Sequence, residues 1–383
     1  MEAAHTTNRP DGPARVIFCV VGTRPECVKM APVIAALRQQ SWAQVRVIST
    51  GQHRELVAQT LGIFGITPDM DLDLMEADQT LAGLTARILT RLDPLLAAFK
   101  PDLVLAQGDT TTVMATGLAS FYRQIPFGHV EAGLRTHDLR KPFPEEFNRV
   151  VAGHLASIHF APTAGAKEHL LRQGAPEATV HITGNTGIDA LLQMAARPGP
   201  APAYPRNPAA RLIVLTAHRR ENFGAPLRNI CAAVTTLHAR FPDLEFVFPV
   251  HPNPNVRDVV RPLLSPLARV HLIEPVDHLA MTGLLRRCHF IMTDSGGLQE
   301  EGPALGKPVL VLRSETERPE GVQAGMAILV GTDTEAIVTE ASRLLEDTSH
   351  HARIAQVTSP YGDGQAAQRI ALLCGALLGA GCA

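Results

Sequence analysis

The chain is predicted to be an α/β protein made of two Rossmann-like, doubly wound domains facing a central cleft. Three observations predict this. Short Val/Ile-rich runs alternate with longer helical patterns, and the runs end repeatedly in Gly, Thr, Asp or His. The alternation also occurs as two similar series, one in each half of the chain. With 383 residues, 45% of them hydrophobic and 19% charged, the chain has apolar surface enough for more than one core.

In the first series the strand candidates are Arg15 to Gly22, Val45 to Thr50, Leu103 to Asp109, Pro126 to Glu131, Ile158 to Pro162 and Val180 to Asn185. Helical patterns such as Pro25 to Gln39 and Leu81 to Lys100 fall between them. The second series gives Leu212 to Ala217, Glu245 to Val250, Val270 to Glu274, Phe290 to Thr293, Val309 to Leu312 and Ile328 to Gly331. Between the series, Pro198 to Ala210 (PGPAPAYPRNPAA) is too rich in proline for regular structure. Residues 1–185 are therefore assigned to the first domain and 186–360 to the second. An apolar helical pattern in 361–383 is expected to pack back on the first.

The formal net charge is -2, and no long basic run occurs, so composition offers nothing for a nucleic acid or an anionic membrane. The opening stretch, MEAAHTTNRPDGPAR, has no apolar signal core, and no run approaches a membrane span. A cytoplasmic protein is expected. Six cysteines are scattered without a CxxC pair and read as buried small apolar residues. The 16 histidines form no HExxH or other tight ligand cluster, so no metal is expected, and His154 and His159 read as structural or surface residues.

Chemistry concentrates at the strand ends, where open α/β sheets bind ligands. HVEAGLRTHDLRKPFPEEFNR, residues 129–149, carries Glu131 and Glu145 with Arg135 and Arg149 interleaved. Carboxylates provide proton acceptors and arginines clamp anions; the plain alternative is a solvated loop with ordinary ion pairs. Glu145 and Arg149 stand four apart on a predicted helix and are expected to pair. VVGTRPECVKMAPV runs from a strand into a helix bearing Arg24 and Lys29. Further strand ends supply Gln52 and His53 (TGQH), Asp109 (QGDTTT), His218 and Arg219 (LTAHRREN) and His251 (PVHPNP).

In the second half, the strand FIMT leads through DSGG into a helix. Ser295, Gly296 and Gly297 can present a hydroxyl and first-turn amides to a phosphate, or Asp294 and Ser295 can simply cap the helix. Glu301 lies on that helix, within reach of ribose hydroxyls, and TERPE places Arg318 in a Pro-stiffened loop where it can contact phosphate. No GxGxxG follows a strand, and GPALGKP fails the P-loop pattern, so neither a dinucleotide cofactor nor an ATP mechanism is expected.

Taken together and in order, GTRPE, TGQH, GDTTT, HVEAGLRT, PFPEEFNR, LTAHRREN, DSGGLQEEGPALGKPVLVLR and TERPE closely resemble the bacterial non-hydrolysing UDP-N-acetylglucosamine 2-epimerases, over essentially the whole chain after about residue 14. The resemblance implies the GT-B architecture, a homodimer, and interconversion of UDP-N-acetylglucosamine and UDP-N-acetylmannosamine without a cofactor. It assigns Asp109, Glu131 and Glu145 to acid, base and cation-stabilising roles, with Arg149 and His218 supporting them. Arg24, Lys29, Ser295, Gly296, Gly297, Glu301 and Arg318 would bind UDP, and Gln52, His53, Arg135, Arg219 and His251 would line the cleft. His137 stands where the family usually has Gly, Phe143 where Trp is common, Met281 where an aromatic residue often packs on uracil, and Met326 where Thr is usual. Two alternatives stand beside it: a hydrolysing epimerase, against which the full Glu145 to Arg149 and TERPE motifs speak, and a GT-B glycosyltransferase with a UDP-sugar donor, which shares the fold and the donor site.

Overall fold

The computed structural model describes residues 14–51, 54–74, 76, 79–197, 203–357 and 359–380. The expectations at Gln52, His53, Cys382 and residues 198–202 lie outside them; Ala203 to Ala210 forms turns without helix or strand. The chain divides into two compact units. One runs to Ala190 and resumes at Gly362, and the other is Leu191–Tyr361. The division falls inside the helix Thr186–Ala196, a few residues beyond Asn185.

The first unit is built on seven parallel strands: β1 (Arg15–Val21), β2 (Ala43–Ser49), β3 (Met70–Asp71), β4 (Leu103–Gln107), β5 (Phe127–Val130), β6 (Ile158–Ala161) and β7 (Val180–Ile182), in the order β3-β2-β1-β4-β5-β6-β7. The period of two along β1 decides which layer each residue joins. Ile17, Cys19 and Val21 pack with Met30, Ile34 and Leu37 of the helix Arg24–Arg38. Phe18 and Val20 point to the other face, among Leu92, Leu96 and Phe127. Helices cover both faces, which is why these strands read as unbroken apolar runs.

The C-terminal helix Ala366–Leu377 belongs to this unit. Ile370, Ala371 and Cys374 enter the same layer as Met30, and the buried Asp189 accepts the amides of Ala366 (3.3 Å) and Ala367 (2.8 Å), two first-turn groups with no partner inside the helix.

The second unit has six parallel strands: β8 (Arg211–Thr216), β9 (Leu244–Pro249), β10 (Val270–Ile273), β11 (Phe290–Thr293), β12 (Val309–Val311) and β13 (Ala327–Leu329), ordered β10-β9-β8-β11-β12-β13. Here Ile213 and Leu215 face one layer, Leu212 and Val214 the other. Both units are thus α/β and Rossmann-like. In each the strand order reverses direction once, between β1 and β4 and between β8 and β11, and the ends of those strands are the expected ligand positions. The strand missing from the sequence reading is β3, two residues that pair with Ile48 and Ser49.

The turn after β1 shows why GTRPE is written as it is. A Cβ on Gly22 would stand 2.5 Å from the hydroxyls of both Thr50 and Thr112, so no larger residue fits. Thr23 caps the helix, and Glu26 Oε2 accepts from the amides of Gly22 (2.5 Å) and Thr23 (3.2 Å) in a capping box. Burial raises the Glu26 pKa, and those hydrogen bonds oppose it.

The five described cysteines are buried, and burial raises each thiol; Cys19, Cys231 and Cys288 reach about 12. Among the described residues no helix is long and apolar enough to cross a membrane.

His129 on β5 is fully buried, and its Nε2 donates to the Gly108 carbonyl at 2.7 Å. Burial pulls its pKa down to about 4; the Gly108 bond works the other way. The unfolded chain therefore takes up a proton between about pH 6.5 and 4 that the folded chain refuses, so His129 withdraws stability as pH falls through that window. We expect the penalty of His129→Gln, measured by denaturant titration, to shrink by about 2 to 3 kcal/mol between pH 7.5 and 4.5. An equal penalty at both pH values would contradict a neutral His129.

Candidate active site

In the first unit the reactive groups stand at the ends of β4 and β5. Glu131 follows β5 directly, with φ +62°, a left-handed conformation that non-glycine residues seldom adopt. Its neighbourhood leaves little alternative. Gly133, with φ +91°, approaches so closely that a Cβ there would lie 2.2 Å from the Ala166 carbonyl oxygen. The Glu131 carboxylate is nearly buried. Lys29 Nζ meets its Oε1, and Gln107 Nε2 donates to its Oε2. Such strain, with the side chain held from both sides, is characteristic of functional positions.

Asp109 follows Gly108 at the end of β4 and pairs with Arg149 NH2 at 2.5 Å. Its main-chain carbonyl accepts from Asn148 Nδ2 at 2.9 Å. Burial raises the Asp109 pKa; Arg149 opposes the shift, and the negative charge of Glu131 adds to it. Asp109, Glu131, Lys29 and Arg149 therefore form one electrostatic cluster.

The expected Glu145–Arg149 pair does not form. Arg149 instead reaches Glu146 Oε2 (3.3 Å) with NH1 and Asp109 with NH2. The reason is helical phase. On the helix Glu145–Leu155, Glu146 rather than Glu145 turns inward, with its side chain 1% exposed. Glu145 is the first helical residue, partly exposed, and its side chain makes no hydrogen bond or ion pair among the described residues. Arg24, first in its own helix, likewise has no such partner among them.

Arg135 does not join the carboxylates. Its Nε and NH2 both donate to Gln173 Oε1 (3.0 and 2.8 Å) and its NH1 to the Leu134 carbonyl. His137 has φ +66°, which gives a physical reason for glycine in the resembling sequences.

In the second unit, a fully buried Asp294 organises the end of β11. Its Oδ2 accepts from the amides of His218 (2.7 Å) and Arg219 (2.8 Å) and from Asn222 Nδ2 (3.0 Å), and its Oδ1 lies 3.3 Å from His218 Nδ1. The sequence reading treated Asp294 only as a possible cap; the structure makes it the brace for LTAHRREN. Burial lowers the His218 pKa, with Asp294 opposing and His251, stacked 5.8 Å away, adding to the shift.

Ser295 stands at the start of the helix Gly296–Ala304, and its hydroxyl caps nothing. The first-turn amides point outward for lack of an intrahelical acceptor. Neither Gly296 nor Gly297 has positive φ, so the turn itself does not require glycine. A Cβ on Gly296 would sit 3.7 Å from Arg219 NH2, and one on Gly297 3.6 Å from Glu301 Oε1. The absent side chains leave a bare helix start flanked by a guanidinium and a carboxylate. That arrangement suits a phosphate with hydroxyls beyond it.

Arg318 is committed to this scaffold: its Nε pairs with Glu300, and its carbonyl accepts from Tyr361 Oη at 3.2 Å. Met281 is half-buried against the apolar layer that holds Leu284 and Leu298.

A sequence model of the family described as UDP-N-acetylglucosamine 2-epimerase matches residues 35–374. The UDP-N-acetylglucosamine 2-epimerase of Escherichia coli (strain K12) is 48% identical over 363 residues, covering 92% of this chain and 96% of that one. The Neisseria meningitidis UDP-GlcNAc 2-epimerase, solved bound to UDP-GlcNAc, superposes with a TM-score of 0.81 at 44% identity, covering 94% of this chain and 99% of its own. The S. aureus MnaA–UDP structure gives 0.82 at 43%, covering 96% and 97%. With carboxylates at the ends of β4 and β5, a bare helix start after β11, and likeness along nearly its full length, the chain belongs to the UDP-N-acetylglucosamine 2-epimerase family.

Proposed function

We propose that this protein reversibly converts UDP-N-acetylglucosamine to UDP-N-acetylmannosamine by inversion at C2. The observation that carries the reading is Glu131: a strained carboxylate held by Lys29 and Gln107, close enough to Asp109 to influence its proton. The substrate is supported by the Neisseria relative, solved with UDP-GlcNAc.

The C2 proton of such a sugar is not acidic, because the acetamido carbonyl does not activate that carbon. The C1–O bond must therefore weaken first. Its electron pair leaves on the β-phosphate oxygen, positive charge develops at C1, and a carboxylate removes the C2 proton as the C1=C2 bond forms. The products of this half are 2-acetamidoglucal and UDP. A proton then returns to the opposite face of C2, and the UDP oxygen re-forms its bond to C1. Nothing is oxidised and no atom is lost.

The chemistry calls for two carboxylates of different proton affinity, a role that suits Asp109 and Glu131. The family resemblance gives Glu145 and Arg149 the support of the developing cation and its counter-charge, and gives His218 a supporting role. The bare helix start at Ser295–Gly297, with Arg219, Glu301 and Arg318, receives the nucleotide diphosphate. Arg24, Lys29, His251 and Met281 complete the set of substrate contacts. Assembly as a homodimer and a cytoplasmic location belong to the same proposal and rest on the family resemblance.

In D₂O, purified protein given UDP-N-acetylglucosamine is expected to yield UDP-N-acetylmannosamine with deuterium at C2, followed by proton NMR. Stoichiometric UDP and free sugar would assign hydrolysis instead. Glu131→Gln should lower kcat by roughly 10²- to 10⁴-fold, the usual reach of a general acid or base, while calorimetric UDP affinity stays within about threefold. Loss of both together would make Glu131 structural.

Asp294→Asn replaces an acceptor-only oxygen pair with one that also donates, beside two amides and an Asn222 donor. It should cost about 1 to 3 kcal/mol of stability and weaken UDP binding roughly tenfold. UDP affinity equal to that of the unaltered protein would remove Asp294 from the nucleotide site.

A further inference from the structure

We propose that Glu146 is a positioning residue for the reaction. Through Arg149 it fixes where the Asp109 carboxylate stands, and through Thr136 and His137 it holds the loop leading to Glu145. The inference rests on the epimerase reading for its kinetic consequence, but not for its geometry.

Glu146 is an inward-facing carboxylate with both oxygens engaged. Oε1 accepts the amides of Thr136 (3.0 Å) and His137 (3.1 Å), and Oε2 meets Arg149 NH1 (3.3 Å). The other amine of that guanidinium lies 2.5 Å from Asp109 Oδ2. One planar fork thus spans two carboxylates, and its orientation is set by the one that is buried. Arg149 is 18% exposed and Asp109 27%, against 1% for Glu146. The first turn of this helix reaches Asp109 a second way, through Asn148 Nδ2 on its carbonyl. An ordinary helix-surface ion pair would have no such second anchor and would be open to water.

The charged groups that act on Asp109 are Arg149 from the Glu145–Leu155 helix, Glu131 from the end of β5 and Lys29 from the Arg24–Arg38 helix; Glu146 reaches it through Arg149, and Arg135 lies in the field of Glu146 and Arg149. Glu146→Gln keeps an oxygen for the two loop amides but places an amide donor against Arg149. The guanidinium then loses the anchor that turns it toward Asp109, and Arg149 is the group that opposes the burial-driven rise of the Asp109 pKa. The pKa of Asp109 should therefore rise.

The test reads the Asp109 carboxyl resonance by ¹³C NMR, assigned by its disappearance in Asp109→Asn, in protein without substrate, alongside steady-state kinetics. In Glu146→Gln the titration midpoint should rise by about half a unit or more, kcat should fall tenfold or more, and KM should stay within about twofold. A merely structural Glu146 would lower the melting temperature and leave the midpoint in place, so an unmoved midpoint or an unchanged kcat overturns the proposal. Should Glu146→Gln fail to fold, Arg149→Lys carries the test. An ammonium cannot span both carboxylates, so a similar kcat loss is expected, and full turnover overturns the proposal. Because the midpoint is read without substrate, failure of the unaltered protein to epimerise would sink the functional reading and leave the positioning result standing.

Discussion

The structure depends on burying carboxylates at the ends of parallel strands. A parallel sheet covered on both faces leaves the chain to turn sharply where each strand stops, and the amides in that turn have no ladder partner and little water. Glu26 answers this after β1 by accepting from Gly22 and Thr23, and Asp294, itself at the end of β11, answers it for the neighbouring β8 by accepting from His218 and Arg219. Each turn can then project reactive groups without giving up main-chain satisfaction. The acids that hold these turns, Glu26 and Asp294, are thus different residues from the candidate site acids Asp109 and Glu131, which follow β4 and β5.

That division explains what the sequence disclosed and what it did not. Buried parallel strands announce themselves as Val/Ile runs closed by Gly, Thr or Asp, so every strand except β3 was visible; β3, at two residues, has no run to see. Carboxylates after β4 and β5 were visible for the same reason. Pairings were not. Neighbouring helical positions differ by about 100° in direction, and nothing in PEEFNR says whether Glu145 or Glu146 faces inward. The exposed Phe147 actively misleads, since an aromatic residue suggests the buried side. Arg135 and Arg318 were recognisable as anion clamps by type, but Gln173 and Glu300 engage them through contacts distant in sequence.

Asp294 shows the opposite failure. Its motif was noticed, yet the plain capping alternative hid its larger part, because acceptance from residues 218, 219 and 222 is a tertiary fact with no local spacing to betray it. Likewise Gly296 and Gly297 suggested backbone freedom, whereas what they provide is vacant space beside Arg219 and Glu301. A glycine's effect on sterics cannot be separated from its effect on φ without coordinates.

The left-handed backbone at Glu131 sets thermodynamics against chemistry at a single position. Glycine would adopt that conformation at no steric cost, yet it would remove the carboxylate that Lys29 and Gln107 meet, so the backbone and the side chain of residue 131 ask for different amino acids.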